Sequence, residues 1–381
     1  MSDYKNSFAQ KNMTFNTSVV FDTVPGDNFY KLMIFVGVSD AATYFTAETP
    51  PVSGDVVEVN AVTYGDLTQG LLKTWLADFY ANGAVAICYL VVFTDVVSES
   101  WSAVDLALKY AANKYTAFWK TMISSTYLND ACVALDDLWE SDSLKERKFS
   151  QVFFGSHDSE LLDEETTTGL QYLLLTENPT SKAWIVYHYT TTGNPALAQL
   201  GKTLSLYNEA LSPQSPVGSK LAFVAMNTID PSGAAGTNLE AADYTALENQ
   251  NISYFEFLGN GTSNVVLIGN KDLQGVPLGV HWIPSYIDFV CEIKAAELLS
   301  QKDSYLNSST YQLILSMTGT QVKQFVDSKR FTDYALTKKP FVKATNVTSE
   351  KKFIITNAWS ATYVDDAEGV TVYGTLYVTL S

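Results

Sequence analysis

Three histidines, His157, His188 and His281, are the only side chains that ordinarily titrate near neutral pH, so acid–base chemistry would centre on them. Gly155-Ser156-His157-Asp158 gathers the residue types of a hydrolytic triad. A triad needs a nucleophile, a base and an orienting acid converging from separated positions, and adjacent residues do not supply that geometry. No G-x-S-x-G elbow occurs either, so the stretch is expected to be a loop or a helix cap. His188, between Tyr187 and Tyr189 in an apolar strand, reads as a core or interface histidine. Gly259-Asn260-Gly261 opens like a dinucleotide fingerprint. Asn264 stands at the third glycine position, however, and a strand pattern follows where a helix is needed. There is no phosphate-binding P-loop.

Acidic residues cluster at Asp136, Asp137, Glu140 and Asp142, and again at Asp158, Glu160, Asp163, Glu164 and Glu165. Neither run has the fixed glycine and ligand spacing of a calcium loop, so both are expected to be solvated faces. Cys88 lies in an apolar run, and Cys132 and Cys291 on helical patterns. Three thiols without a C-x-x-C pair argue for buried, unpaired cysteines. The expectation is a chain with no catalytic residues, no metal site and no cofactor.

Hydrophobic content of 46% and aromatic content of 13% exclude a disordered chain. The charged share of 17% is low, which leaves surface to bury against partners. A formal net charge of −17 with no Lys/Arg-rich stretch argues against nucleic acid and against an anionic membrane surface. The longest apolar run, Ala84 to Phe93, is too short to span a bilayer and suits a buried strand. The polar opening, MSDYKNSFAQKNMTFN, lacks a secretory h-region, so the six Asn-x-Ser/Thr sequons carry no glycosylation meaning and synthesis in the cytosol is expected.

Along the chain, residues 1–24 read as an arm in which Phe15, Val19 and Phe21 alternate with polar residues as a short strand. Residues 25–248 read as an α/β body. There, KLMIFVGV and AVAICYLVVF are buried strands, and Leu72, Trp75, Leu76 and Phe79 mark a helix over 68–82 that closes at Asn82-Gly83. Helices are expected near 102–113, 128–144, 160–175 and 194–211. Strands at 115–123, QVFFG, AWIVYHY and KLAFVAMN alternate with them, which implies mostly parallel pairing. Residues 249–348 hold a hairpin signal around Asn260-Gly261 and a helix pair, about 282–300 and 309–327. The helices carry Ile283, Ile287, Val290 and Ile293, then Ile314, Val322, Phe325 and Val326. A β tail, 349–381, ends the chain. The fold class is thus α/β (α+β): a mostly parallel body, a helix pair and a β tail, with extended terminal strands.

The last segment, GVTVYGTLYVTLS, alternates almost strictly. Val370, Val372, Leu376, Val378 and Leu380 share one face; Thr371, Tyr373, Thr375, Tyr377 and Thr379 share the other. Such a strand can complete its own sheet or add to a neighbour's. If the sheet is shared, Phe15, Val19, Phe21 and the five apolar residues of the last strand are the inter-subunit contacts, and Val372→Asp would block assembly more than it lowers subunit stability.

Three segments together resemble contractile tail sheath proteins of myophages and R-type pyocins. They are FYKLMIFVGVS through TYGDL to LLKTWLADFYANGAVAICYLVVF; NDACVALDDLWESDSLKERKFSQVFFGSHD; and GVPLGVHWIPSYIDFVCEIKAAELLSQ with the helix ending KQFVDSKRF. Phe79, Asn82 and Gly83 sit at positions matching that pattern. The departures are Gly83-Ala84 where the family has a double glycine, no arginine after the apolar strand, and SYLNSSTYQ between the last helices. The resemblance implies a structural subunit that stacks in rings as a homo-oligomeric helical sheath around a tail tube protein, between baseplate and tail terminator proteins. It also implies terminal strands that join neighbouring sheets, contraction that drives the tube through a host envelope, and a location in the virion after synthesis in the bacterial cytoplasm. A capsid or other virion shell protein is the structural alternative, although a long spine helix and an extended hairpin loop do not stand out. An α/β enzyme is the other alternative, and it lacks motifs.

Overall fold

The computed structural model describes residues 30–37, 41–82, 87–93, 117–123, 150–189, 195–208, 225–226, 239–257, 265–269, 271–277, 307–327, 329–346, 352–364 and 369–379, with separate helical positions between 132 and 136 and between 279 and 298. The first sheet has six strands: β1 (Tyr30–Gly37), β2 (Val56–Val59), β3 (Cys88–Phe93), β4 (Ala117–Ile123), β5 (Ser150–Ser156) and β6 (Trp184–Tyr187). They lie in the order β2-β3-β1-β4-β5-β6. β1 pairs in parallel with both β3 and β4, and β4–β5 and β5–β6 are parallel as well; only β2, on the outer side of β3, runs antiparallel. Counting parallel strands alone, the second and the first are neighbours, followed by the third to fifth. This is the order of a doubly wound sheet, which requires cover on both faces. The burial follows: Cys88 to Val92 and all four residues of β6 are buried without alternation.

Both faces are packed by aromatic and aliphatic side chains. On one face Phe153 stacks on Trp184, with centroids 5.6 Å apart and planes at 15°. On the other, Val152, Phe154, Ile185 and Tyr187 meet Leu161, Leu170, Leu174, Leu247 and Ile252 in a continuous core. The short helices α1 (Ala41–Tyr44) and α2 (Tyr64–Leu67) lead into α3 (Gly70–Ala81), which buries Leu72, Trp75, Leu76 and Phe79 as their spacing implies. α4 (Leu170–Glu177) and α5 (Pro195–Asn208) follow. α5 crosses α3 so closely that a Cβ on Gly201 would sit on the Phe79 carbonyl oxygen.

The single helix expected near 160–175 is instead two elements. A 3-10 turn, Ser159–Leu162, is followed by a break, and α4 begins at Leu170. The cause is local. Asp158 Oδ1 accepts the Glu160 amide at 3.0 Å, and Asp163 Oδ1 accepts the Glu165 amide at 3.0 Å. Each short carboxylate thus offers the backbone a turn that competes with helix. The expected helix at 102–113 lies outside the described residues, and of that at 128–144 only Cys132, Val133 and Asp136 are described, all helical. Of KLAFVAMN only β7 (Ala225–Met226) is described.

After α6 (Ala241–Asn249) the chain returns to the free edge of β6. Ser253 donates its amide to the Ile185 carbonyl at 2.9 Å and accepts from the Tyr187 amide at 2.7 Å. It then forms the expected hairpin, β8 (Tyr254–Phe257) against β9 (Val265–Ile268), with β7 on the outer side of β9. A tight turn over 271–277 follows, built on the buried Asp272. That carboxylate accepts the amides of Gln274 and Val276 at 2.9 and 2.8 Å. The Leu273 amide donates to Ala183, pinning the turn to the body.

A second core then begins. Ile283, Ile287, Cys291 and Ala295 recur every four residues and pack with Tyr311, Ile314, Leu315, Val322 and Phe325 of α7 (Ser308–Asp327). Both lie against an antiparallel meander: β10 (Phe331–Leu336), β11 (Lys352–Val364) in the centre, and β12 (Gly369–Thr379). α8 (Lys343–Asn346) lies between β10 and β11.

The α3–α5 crossing generates a test. Gly201→Ala gains about 1 kcal/mol of helix propensity but forces two backbones apart, at about 1–3 kcal/mol or more. A lower melting temperature in calorimetry is expected; a rise would refute the close contact.

Candidate assembly surface

The apolar face of β12 is set by register. Val370 pairs with Tyr363, Val372 with Ala361, Gly374 with Trp359, Leu376 with Ile355 and Val378 with Phe353. Residues directly opposite in an antiparallel pair share one face of the sheet. Tyr363, Ala361, Trp359 and Ile355 are all buried. The apolar row of β12 therefore lies on the same face as the buried row of β11, the face that packs against α7. Between Ile355 and Trp359 the register shifts: two residues of β12 span what four of β11 cover. This irregularity lets the neighbours Ala358 and Trp359 both be buried, which strict alternation forbids.

Of the two uses open to the last strand, completing its own sheet is the one seen within the chain. Val370, Val372, Leu376 and Val378 are brought together on it, whereas Phe15, Val19, Phe21 and Leu380 lie outside the described residues. Among the described residues, β12 and β10 each pair only with β11. Each outer strand thus has one row of backbone N–H and C=O groups without a strand partner among the described residues, a template for strand addition.

The residues first inspected for chemistry have structural employment. Asp158 caps the 3-10 turn, and the buried Ser156 hydroxyl accepts its amide at 3.2 Å. His157, beside them, is exposed. His188 is buried, its ring 4.3 Å from that of Tyr189 and 6.1 Å from that of Phe255. His281 lies outside the described residues. Asp136 departs from the solvated face expected of its cluster: it is buried and accepts from Asn178 Nδ2 at 3.4 Å. Asp137, Glu140 and Asp142 are outside the described residues. No group of three or more His, Cys, Asp or Glu among the described residues is arranged to hold a metal ion.

All three cysteines are buried, and none forms a disulfide. Burial pushes the Cys88 thiol up to about 12, against a smaller opposing effect of the Tyr80 hydroxyl, which donates to Cys88 Sγ at 3.4 Å. Burial, then the Asp136 carboxylate, raises Cys132 further. Thiols held this way are poor nucleophiles.

Two expectations follow. Val372→Asp puts a carboxylate opposite buried Ala361, so it should lower the melting temperature of the unassembled chain, by about 2–4 kcal/mol in stability. The expectation that assembly suffers more than subunit stability is checked alongside by light scattering; an unchanged melting temperature would mean that the β11–β12 register does not hold in solution. The three thiols should react with a chromogenic disulfide at pH 8 far more slowly in the native chain than in denaturant. Equal rates would exclude the buried placement.

No protein-family model matches the sequence, and no curated protein matches it. Among solved structures, the chain is similar to the helical sheath of the anti-feeding prophage in its contracted state, with a TM-score of 0.53 and 12% sequence identity over 93% of this chain and 91% of that one. With a similarity that spans nearly the whole of both chains, the fold of this protein is that of a contractile tail sheath subunit.

Proposed function

We propose that this chain is the structural subunit of a contractile, phage-like tail sheath. It polymerises around a tail tube, and its contraction drives the tube through a host envelope. The observation that carries this reading is the sheath fold over 93% of the chain. The outer edges of β10 and β12, which have no strand partner among the described residues, fit it. So does an aromatic content of 13% with 17% charge, which provides surface to bury in an assembly. A closed capsid or shell is the less favoured reading, because a solved structure that the chain resembles over 93% of its length is a helical sheath.

In this reading residues 1–24 are a linking arm, 25–248 the body, 249–348 the hairpin and helix pair, and 349–381 the linking tail. Phe15, Val19 and Phe21 form a strand that adds to an open edge of a neighbour's sheet. The strand carrying Val370, Val372, Leu376, Val378 and Leu380 offers one such edge. Backbone pairing suits a link that must survive movement: it is directional along the strand, yet it tolerates rotation in the polar residues beside it, here Asp365, Asp366 and Glu368. The subunit has no catalytic role. The work of contraction comes from two packings of the same copies, the extended one trapped kinetically and the contracted one lower in free energy. Neighbours along the tail are the tube protein, the baseplate and a terminator. The protein is made in the bacterial cytoplasm and resides in the virion tail.

Negative-stain microscopy tests this directly. The purified chain should form hollow tubes with a ring repeat, and a chain lacking residues 1–24 should remain a folded monomer. Closed shells, or only small discrete particles at high concentration, would overturn the reading. Normal tubes from the truncated chain would overturn the role given to the arm.

A further inference from the structure

The charge of this molecule is sorted along the chain. Residues 271–381 hold 11 Lys and Arg against 11 Asp and Glu, so the formal −17 falls entirely on the first 270 residues. In the fold this sorting becomes two faces. The lysine-rich face is built where β10 leads into α8, beside the start of α7, whose Tyr311 hydroxyl donates to the Lys339 carbonyl at 3.4 Å. Lys338, Lys339 and Lys343 are exposed there, and no acidic residue lies between 334 and 343. Lys329 and Arg330 lie at the opposite end of α7, where the Arg330 amide donates to the Phe325 carbonyl at 2.7 Å, and are not part of this face. Val342, 48% exposed, stands beside Lys343.

The opposite charge gathers on the first core. Asp163, Glu164, Glu165, Glu177, Glu240 and Glu248 are exposed. Two contacts hold their elements as one surface: Asn249 Nδ2 donates to Glu164 Oε1 at 2.8 Å, and Gln250 Nε2 donates to the Leu161 carbonyl at 2.9 Å. Residues 155–181 contain no Lys or Arg. Tyr172, 42% exposed on α4, supplies an aromatic side chain there. Among the described residues no ion pair joins the two sets within the chain; the pair described is Lys323–Asp327, inside α7.

We propose that the lysine face at 338–343 of one copy docks on the acidic face of a second copy, at 163–177 and 240–248. The proposal rests on the sheath reading only in taking a second copy as the occupant. Each face combines an exposed apolar side chain with charges around it, the composition of an interface with a small apolar centre and a polar rim. The charges select the pairing: acidic face against acidic face is repelled, while acidic against lysine-rich is attracted. Because the two faces differ, the contact is heterologous, and such contacts propagate into rings or helices. The attraction acts across solvent and is screened over about 10 Å at 0.1 M salt, so assembly should weaken as salt rises.

The test uses full-length chain mixed from 14N- and 15N-labelled batches, treated with a zero-length carbodiimide cross-linker and read by mass spectrometry. Mixed-isotope links joining Lys338, Lys339 or Lys343 to Asp163, Glu164 or Glu165 are expected. Tubes whose inter-copy links all join other residues would overturn the inference and leave the sheath reading standing; the absence of both tubes and inter-copy links would overturn both. Reversal variants make a second arm. K338E/K339E and E164K/E165K should each raise the concentration needed for assembly about tenfold or more, and their equimolar mixture should restore it. Failure of the mixture to recover, with both variants folded, would overturn the pairing.

Discussion

Backbone amides and carbonyls at the edge of a sheet must find partners, and how this chain meets that requirement organises the rest of its structure. In the body the requirement is met internally at β6. Ser253 and Leu273, both far along the chain, return to bond Ile185, Tyr187 and Ala183. In the last third, β11 is satisfied on both sides, while β10 and β12 are each satisfied on one, among the described residues. The first unit is thereby closed at its β6 edge, whereas its other edge, at β2, is paired on one side only among the described residues, as β10 and β12 are. In the proposed assembly, the second unit is the one that links copies.

Two cores that share no residue accompany this division. Leu273 belongs to the first, and Val280 packs against the second. Gly279 lies so near the Tyr363 ring that a Cβ there would collide with it, so the chain is already committed to the second core within a few residues of leaving the first. A buried carboxylate, Asp272, holds the turn before this passage by accepting hydrogen bonds from two backbone amides. Each core can then keep its own close packing, while backbone edges and charged faces are left for neighbours.

Much of this was legible in the residues. Continuous apolar runs announced β1 and β3 as strands, with β3 buried on both faces, and the three- and four-residue spacing of Leu72, Trp75, Leu76 and Phe79 announced α3. Strict alternation announced β12. The reading of Asp158 as a cap also followed from residue type. β10 did not stand out, because Phe331, Tyr334, Ala335 and Leu336 do not alternate with polar residues, and a register shift separates Phe331 from the other three. Asp136 looked solvent-facing by composition, yet it is buried against Asn178, a partner 42 residues away that no local pattern reveals. The face that β12 turns to its own core required the register with β11, a long-range property. The use between copies that we propose for it belongs to the assembled state, beyond what one chain displays.

The central claim is that the outer edge of β12 links one copy to the next. Hydrogen exchange measured by mass spectrometry on peptides covering 369–379, in the unassembled chain and in purified tubes, tests it most directly. Partial protection in the unassembled chain, from pairing with β11 alone, should rise on assembly by orders of magnitude at the remaining amides. Equal protection in both states would mean that β12 completes its own sheet and nothing more.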